Sequence, residues 1–212
     1  FLIESNVLSI EEMNAIKVEI KAEINDSWLS AENEESTICV QQNELSDIFK
    51  PFSDVSNSPN ENFSKIRLVD AISNSLSDSM QKYDNLIIMG QDIAEYGGVF
   101  KITDGFVAKF GKDRIRNTPI CESAIVSAAY GLSINGFKSV VEMQFADFVS
   151  SGFNPIVNLL AKSYYRWNQN ADVVIRMPTG AGVGAGPFHS QSNEAWFTHT
   201  PGLKVCLLYT SP

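Results

Sequence analysis

The feature that most constrains this fold is a change of period after residue 65, where short continuous apolar runs begin to alternate with amphipathic stretches of helical length. In "IRLVDAISNSLSDSMQKYDN" the residues Val69, Ile72, Leu76 and Met80 fall on one helical face, and "LIIMGQD" (86–92) follows as an apolar run of the kind buried parallel strands show. The unit recurs. "ESAIVSAAYGLSINGF" (122–137) reads as a helix rich in small residues, "KSVVEMQF" (138–145) as a strand, "GFNPIVNLLAKSYYRW" (152–167) as a helix and "ADVVIRMP" (171–178) as a strand. Strands alternating with helices of this length predict a three-layer α/β domain with a parallel sheet covered on both faces.

Upstream the pattern differs. Residues 9–28, "SIEEMNAIKVEIKAEINDSW", set Ile10, Met13, Ile16, Ile20, Ile24 and Trp28 in one helical stripe, and Ser9 with Glu12 is a capping-box start. Such a stripe has to pack on something. Residues 29–64 are polar and Ser/Asn-rich with no sustained period, the composition of an exposed linker. The expected organisation is a helical tail over 1–50, a linker over 51–64 and the α/β domain over 65–205.

Composition excludes several classes of function. The 212 residues can bury one sizeable core, and a net charge of -9 without any basic run argues against a nucleic-acid surface. No apolar run approaches the roughly 20 residues of a membrane span. Cys39, Cys121 and Cys206 lie far apart without metal-ligand spacing, which suits unpaired thiols in a reducing cytoplasm, and no metal site is expected. The chain opens on Phe1 without a leader pattern and is expected to be a fragment.

Candidate sites cluster where strands end. In "VVIRMPTGAGVGAGPFHSQSNEAWFTH" (173–199), Gly180, Gly182, Gly184 and Gly186 follow a strand, but Pro187, Phe188 and His189 stand where a dinucleotide fingerprint needs a helix; Ser192 is the expected N-cap of the next one. The glycines read as a loop that turns tightly and approaches something closely, with phosphate binding the lesser alternative. His189 ends that loop on the C-terminal side of a parallel strand, where open α/β sheets place their sites, and functional and structural readings stand even. For His199 the structural reading leads. Glu122 opens a helix, where it could simply cap; equally, burial among Ile120, Cys121, Ala124 and Ile125 would demand a polar partner for its carboxylate. Gln144 and Asp147 lie in "EMQFADF" (142–148), whose aromatics are more often core than a cofactor platform.

Taken in order, the motifs "MGQDIAEYGGVFKITDGF", "NTPICESAIVSAAYG", "VVEMQFADF" and "GAGPFHSQSNEAWF" resemble the beta subunit of the thiamine-diphosphate-dependent decarboxylase component of 2-oxo acid dehydrogenase complexes, over about residues 65–205. Residues 1–50 look like the C-terminal tail of the alpha subunit of the same family, which implies an alpha–beta fusion. The resemblance implies the transketolase-type pyrimidine-binding fold and residue-specific roles. Glu122 matches the glutamate that hydrogen-bonds a ring nitrogen of the cofactor's aminopyrimidine. Ile120, Gln144 and Phe148 match positions lining the pyrimidine pocket, Phe148 by stacking. His189 matches the histidine that handles the decarboxylated intermediate and its transfer to lipoamide.

In that family magnesium and the diphosphate are held by the alpha-type half, whose glycine-rich motif has no counterpart here, so the chain alone is expected to be inactive. The implied partners are that alpha-type half, further copies of the fused chain and the lipoyl acyltransferase component. The surroundings of "QFADF" and "HSQS" incline towards branched-chain 2-oxo acids over pyruvate. The ending "CLLYTSP" (206–212) departs from the family and looks like translated sequencing adapter. A transketolase-like enzyme and a non-catalytic α/β interaction domain are the alternatives.

Overall fold

The computed structural model describes residues 1–51, 53 and 64–208. Most of the expected linker at 51–64 and the last four residues of the suspected adapter stretch lie outside the described residues. The chain divides into two units, Phe1–Gln41 and Gln42–Pro212.

The first unit contains α1 (Ile10–Glu32), whose start is the expected capping box. Glu12 N donates to Ser9 Oγ at 3.1 Å and Ser9 N donates to Glu12 Oε2 at 2.8 Å, bonds that hold the Glu12 carboxyl below its ordinary value. The stripe of Ile10, Ile16, Ile20, Ile24 and Trp28 is exposed, and no residue of α1 is buried.

After α2 (Gln41–Ser46), whose first residue ends the first unit, the second unit runs through α3 (Leu68–Lys82), β1 (Leu86–Gly90), α4 (Phe106–Phe110), β2 (Ile115–Asn117), α5 (Glu122–Ile134) and β3 (Lys138–Glu142). A 3-10 segment (Ala146–Gly152), α6 (Phe153–Pro155), a π turn (Ile156–Leu160), α7 (Ser163–Trp167), β4 (Val173–Arg176) and α8 (Ala195–Thr198) follow. The sheet has four strands in the order β2-β1-β3-β4, all pairs parallel. Alternate residues of the strands feed two layers. Leu86, Ile88, Ile115 and Val140 pack with Met80 of α3 and Phe106 of α4 on one face, while Ile87, Met89 and Val141 pack with Ile125 and Ala129 of α5 on the other. A third cluster of Val126, Met143, Val149, Ile156 and Phe197 closes the region beneath the 3-10 segment. This is the three-layer α/β domain the alternation predicts.

Three local expectations are corrected. The helix expected over 152–167 is interrupted: α6 passes directly into a π turn, where Ala161 N reaches back five residues to Ile156 O at 3.0 Å, and α-helix resumes at Ser163. The helix expected from Ser192 begins at Ala195, because buried Asn193 is engaged elsewhere, donating from Nδ2 to Ala146 O at 3.0 Å. Strand β2, three residues long, carries too little apolar pattern to be read from sequence and earns its place by pairing Ile115–Asn117 with Ile88–Gly90.

Candidate functional site

The last row of the sheet crosses all four strands at Asn117, Gly90, Glu142 and Arg176. Gly90 is a requirement of packing: a Cβ there would stand 2.7 Å from the backbone oxygen of Glu142. Glu142 is buried and pairs with Arg176, whose Nε donates to Oε2 at 3.1 Å and whose Nη2 lies 2.6 Å from the same oxygen without hydrogen-bond alignment. Asn117 braces the loop after β1, accepting from Ala94 N at 2.8 Å and donating to Glu95 Oε2 at 3.0 Å. The Lys112 ammonium, 2.8 Å from Glu95, holds that exposed carboxyl below the usual carboxylate range.

Beyond this row each strand hands the chain to a loop, and the candidate residues lie there. Gln91, the first residue past β1, is buried, and its Nε2 donates to Glu122 Oε1 at 3.2 Å. Glu122 is the first residue of α5 and is 7% exposed; Cys121, the N-cap, makes no side-chain cap, so the carboxylate sits at the positive end of a 13-residue helix with a side-chain amide for a partner. The burial expected around it is only half present. Ile120 is 83% exposed and Cys121 and Ala124 are exposed, because α5 turns one face to the sheet, with Glu122, Ile125, Val126, Ala129 and Ser133 inward.

The 3-10 segment lies against the first turn of α5: a Cβ at Gly152 would be 3.5 Å from the backbone oxygen of Glu122. This segment carries Phe148, whose ring centroid is 5.4 Å from that of His189 at 81°. Phe145, its N-cap residue, is 5.0 Å from His189 at 88°, 6.0 Å from Phe148 and 6.2 Å from Phe100. Phe145, Phe148 and His189 are all half-buried. Gln144 is turned away from this group, donating from Nε2 to Asp92 Oδ2 at 3.2 Å, with Asp92 itself in a left-handed conformation. Thus Phe148 and His189 are brought together, Glu122 lies at the helix end beneath their segment, and Ile120 stands in the open.

The glycine loop makes the expected turns, with positive φ at Gly180, Gly184 and Gly186. The expected close approach is not to any described residue: a Cβ on any of Gly180, Gly182, Gly184 or Gly186 would meet nothing within 4 Å among them. The loop's base is fastened by Thr179 Oγ1 to Gln191 O (2.9 Å), Gln191 Nε2 to Pro187 O (2.7 Å) and Gln191 N to Asp147 Oδ1 (3.3 Å). His199 has its Nδ1 at 2.9 Å from Ala195 O, one turn back on the same helix.

Beside the rings a cavity of about 1260 Å³ is lined by Phe100, Ile102, Phe145, Ile175, Met177 and His189, among others. Among the described residues no group of three or more His, Cys, Asp or Glu side chains could hold a metal ion, and no helix is long and apolar enough to cross a membrane.

Sequence reasoning missed Gln91, Phe145 and the Glu142–Arg176 pair. The signal was present in each case. Gln91 is a polar residue directly after an apolar strand run, and Glu142 and Arg176 are opposite charges closing "KSVVE" and "VVIR" at the same end.

Residues 64–211 match the family described as transketolase, pyrimidine binding domain. The chain is 39% identical over 141 residues to the 2-oxoisovalerate dehydrogenase subunit beta of Bacillus subtilis (strain 168), covering 66% of this chain and 43% of that protein. It is 42% identical over 146 residues to the mitochondrial 2-oxoisovalerate dehydrogenase subunit beta of Dictyostelium discoideum, covering 68% and 39%. With the pyruvate dehydrogenase E1 component subunit beta of Leifsonia xyli subsp. xyli the identity is 37% over 149 residues, covering 69% and 44%. The chain therefore spans about two fifths of the length of the curated relatives it matches. It belongs to the transketolase pyrimidine-binding domain family.

Proposed function

We propose that this chain supplies the pyrimidine-binding part of a thiamine-diphosphate-dependent 2-oxo acid dehydrogenase decarboxylase component, acting on a branched-chain 2-oxo acid in preference to pyruvate. The observation that carries the reading is the buried carboxylate of Glu122, held by Gln91 at the N-terminus of α5. A buried acceptor at the C-terminal edge of a parallel sheet fits the ring nitrogens of an aminopyrimidine, which offers hydrogen bonding and a flat face for stacking. The substrate preference takes its support from the 2-oxoisovalerate dehydrogenase beta subunits among the relatives.

When bound, the cofactor's thiazolium ring would accept the electrons released as carbon dioxide leaves. The chain's own residues bind and move protons. Glu122 would accept a hydrogen bond from a protonated ring nitrogen of the aminopyrimidine and so stabilise that form. Phe148 would offer the stacking face, with Ile120 and Gln144 completing the pyrimidine surroundings, Gln144 after leaving Asp92. His189 would exchange a proton with the acyl-bearing carbon's oxygen during transfer to lipoamide. Magnesium and the diphosphate are assigned to an alpha-type partner. That partner, further copies of this chain and a lipoyl acyltransferase complete the proposed assembly, and three exposed cysteines outside any disulfide favour a cytoplasmic setting.

The test is to assemble the chain with an alpha-type subunit and measure thiamine-diphosphate-dependent carbon dioxide release from 2-oxoisovalerate and from pyruvate. Release that requires the cofactor and is faster with 2-oxoisovalerate is expected. Absence of release from both substrates, or full activity of Glu122→Gln, sinks the reading.

A further inference from the structure

We propose that Phe145 is the positioning residue for His189, holding the imidazole at the angle from which it works; the catalytic side of this rests on the role of His189 proposed above. The loop that delivers His189 is braced through its neighbours and not through the imidazole. It turns through left-handed glycines at 180, 184 and 186, and at none of them would a Cβ meet a neighbour within 4 Å. Its fastenings, Thr179 to Gln191, Gln191 to Pro187 and to Asp147, and Ala185 N to Ser190 Oγ, fix backbone on either side of the histidine and leave its side chain's own torsions free. His189 N donates to Gly186 O at 3.3 Å, which sets the turn and not the ring.

What orients the imidazole among the described residues is a pair of rings. Phe145 and Phe148 meet it at 88° and 81°, both edge-to-face, with centroids 5.0 and 5.4 Å away. Edge-to-face contact is directional, since the positive edge of one ring seeks the negative face of another, so two such contacts define a ring plane that one could not. Phe148 already has a proposed duty towards the cofactor. Phe145 has a different second partner, Phe100, 6.2 Å away on the loop after β1. The series Phe100, Phe145, His189 therefore ties the loop after β1 to the loop after β4 through the residue at which the chain leaves β3 and enters the 3-10 segment. Each ring belongs to a different loop, and Phe145 is the member that touches both others.

A catalytic group off by about 1 Å can cost on the order of 100-fold in rate, so a ring that only aims another ring has a measurable effect. Two readouts separate this role from simple packing. In the chain itself, selectively labelled at His and Phe, nuclear Overhauser contacts between the Phe148 and His189 rings are expected in the wild type and expected to disappear in Phe145→Leu, because the imidazole leaves its plane. Phe145→Tyr, which keeps the ring, should retain them. Contacts of undiminished intensity in a folded Phe145→Leu overturn the proposal. Should that variant not fold, Phe100→Leu, which removes the backing of Phe145, is expected to weaken the same contacts, and unchanged contacts there overturn it equally.

In the enzyme assembled with an alpha-type subunit, Phe145→Leu should lower kcat for lipoamide-dependent turnover about tenfold, with cofactor affinity and KM within about twofold, and Phe145→Tyr should restore kcat. A loss confined to cofactor affinity overturns the positioning role. If wild-type assembly shows no lipoamide-dependent turnover, the functional reading of His189 falls while the ring contacts still decide whether Phe145 aims it.

Discussion

Gln91 and Glu122, 31 positions apart in sequence, meet as a buried pair 3.2 Å apart at the end of β1 and the start of α5. Neither residue type is at ease inside a protein alone. The amide satisfies the carboxylate, the helix end favours its charge, and the open flank of α5 leaves the remainder of the group approachable. In the assembled enzyme, Glu122→Gln is expected to keep the fold and lower turnover by about 100-fold, the usual loss of about 3 kcal/mol when one preorganised electrostatic partner is neutralised. Steady-state decarboxylation alongside a thermal melt checks it, and near-normal turnover would refute the assignment.

Gln91→Leu should destabilise the chain by about 2 kcal/mol, because it leaves the Glu122 carboxylate buried without its donor. Urea denaturation at neutral pH reads this directly. A change under about 0.5 kcal/mol would mean that water reaches the carboxylate and takes over the bond.

The Glu142–Arg176 pair is the other buried charge at this edge, with side chains 3% and 17% exposed. Removing one partner strands the other, so Arg176→Met should cost about 3 kcal/mol, and adding Glu142→Gln should recover a large part of it. A double mutant no more stable than Arg176→Met would show that the ion pair is not what the edge depends on.

Gly90→Ala places a methyl group 2.7 Å from the Glu142 carbonyl oxygen, a backbone atom that cannot swing aside. Strands β1 and β3 must part, at about 2 kcal/mol by analogy with overpacked cores, and Gln91, the next residue, moves with them. Both a lower urea midpoint and a loss of turnover in the assembled enzyme are expected. Wild-type values for both would show that the row of Asn117, Gly90, Glu142 and Arg176 has slack.

His189→Ala is expected to depress lipoamide-dependent turnover far more than thiamine diphosphate affinity, since the proposed cofactor contacts of this chain are Glu122 and Phe148 and the diphosphate is assigned to the partner. Paired measurement of cofactor affinity and turnover decides it. A large loss of affinity with turnover intact at saturating cofactor would make His189 a binding residue instead.

The sequence by itself determined the elements whose signal is periodic and local. The faces of α3 and α5, the apolar runs of β1, β3 and β4 and the capping box of α1 depend on residues a few positions apart, and each is found where its pattern lies. Strand β2 escaped because three residues carry no period, and the helix over 152–167 was read as uninterrupted because a hydrophobic stripe does not register the widened turn at Ile156–Leu160. The order of motifs also sufficed to mark Glu122, Phe148 and His189 as candidates.

Only the tertiary structure decided how those candidates are held. The β2-β1-β3-β4 order brings the ends of β1, β3 and β4 to one edge, so that Gln91 reaches Glu122, Arg176 reaches Glu142 and Phe145 reaches both Phe100 and His189. It also turned Gln144 towards Asp92 and left Ile120 exposed, against the expectation of burial beside Glu122. The physical reason is the range of the interactions. Backbone period and capping are settled within one or two turns of chain, whereas the partner of a buried carboxylate, or the ring that aims an imidazole, is chosen by which loops the sheet's register sets side by side.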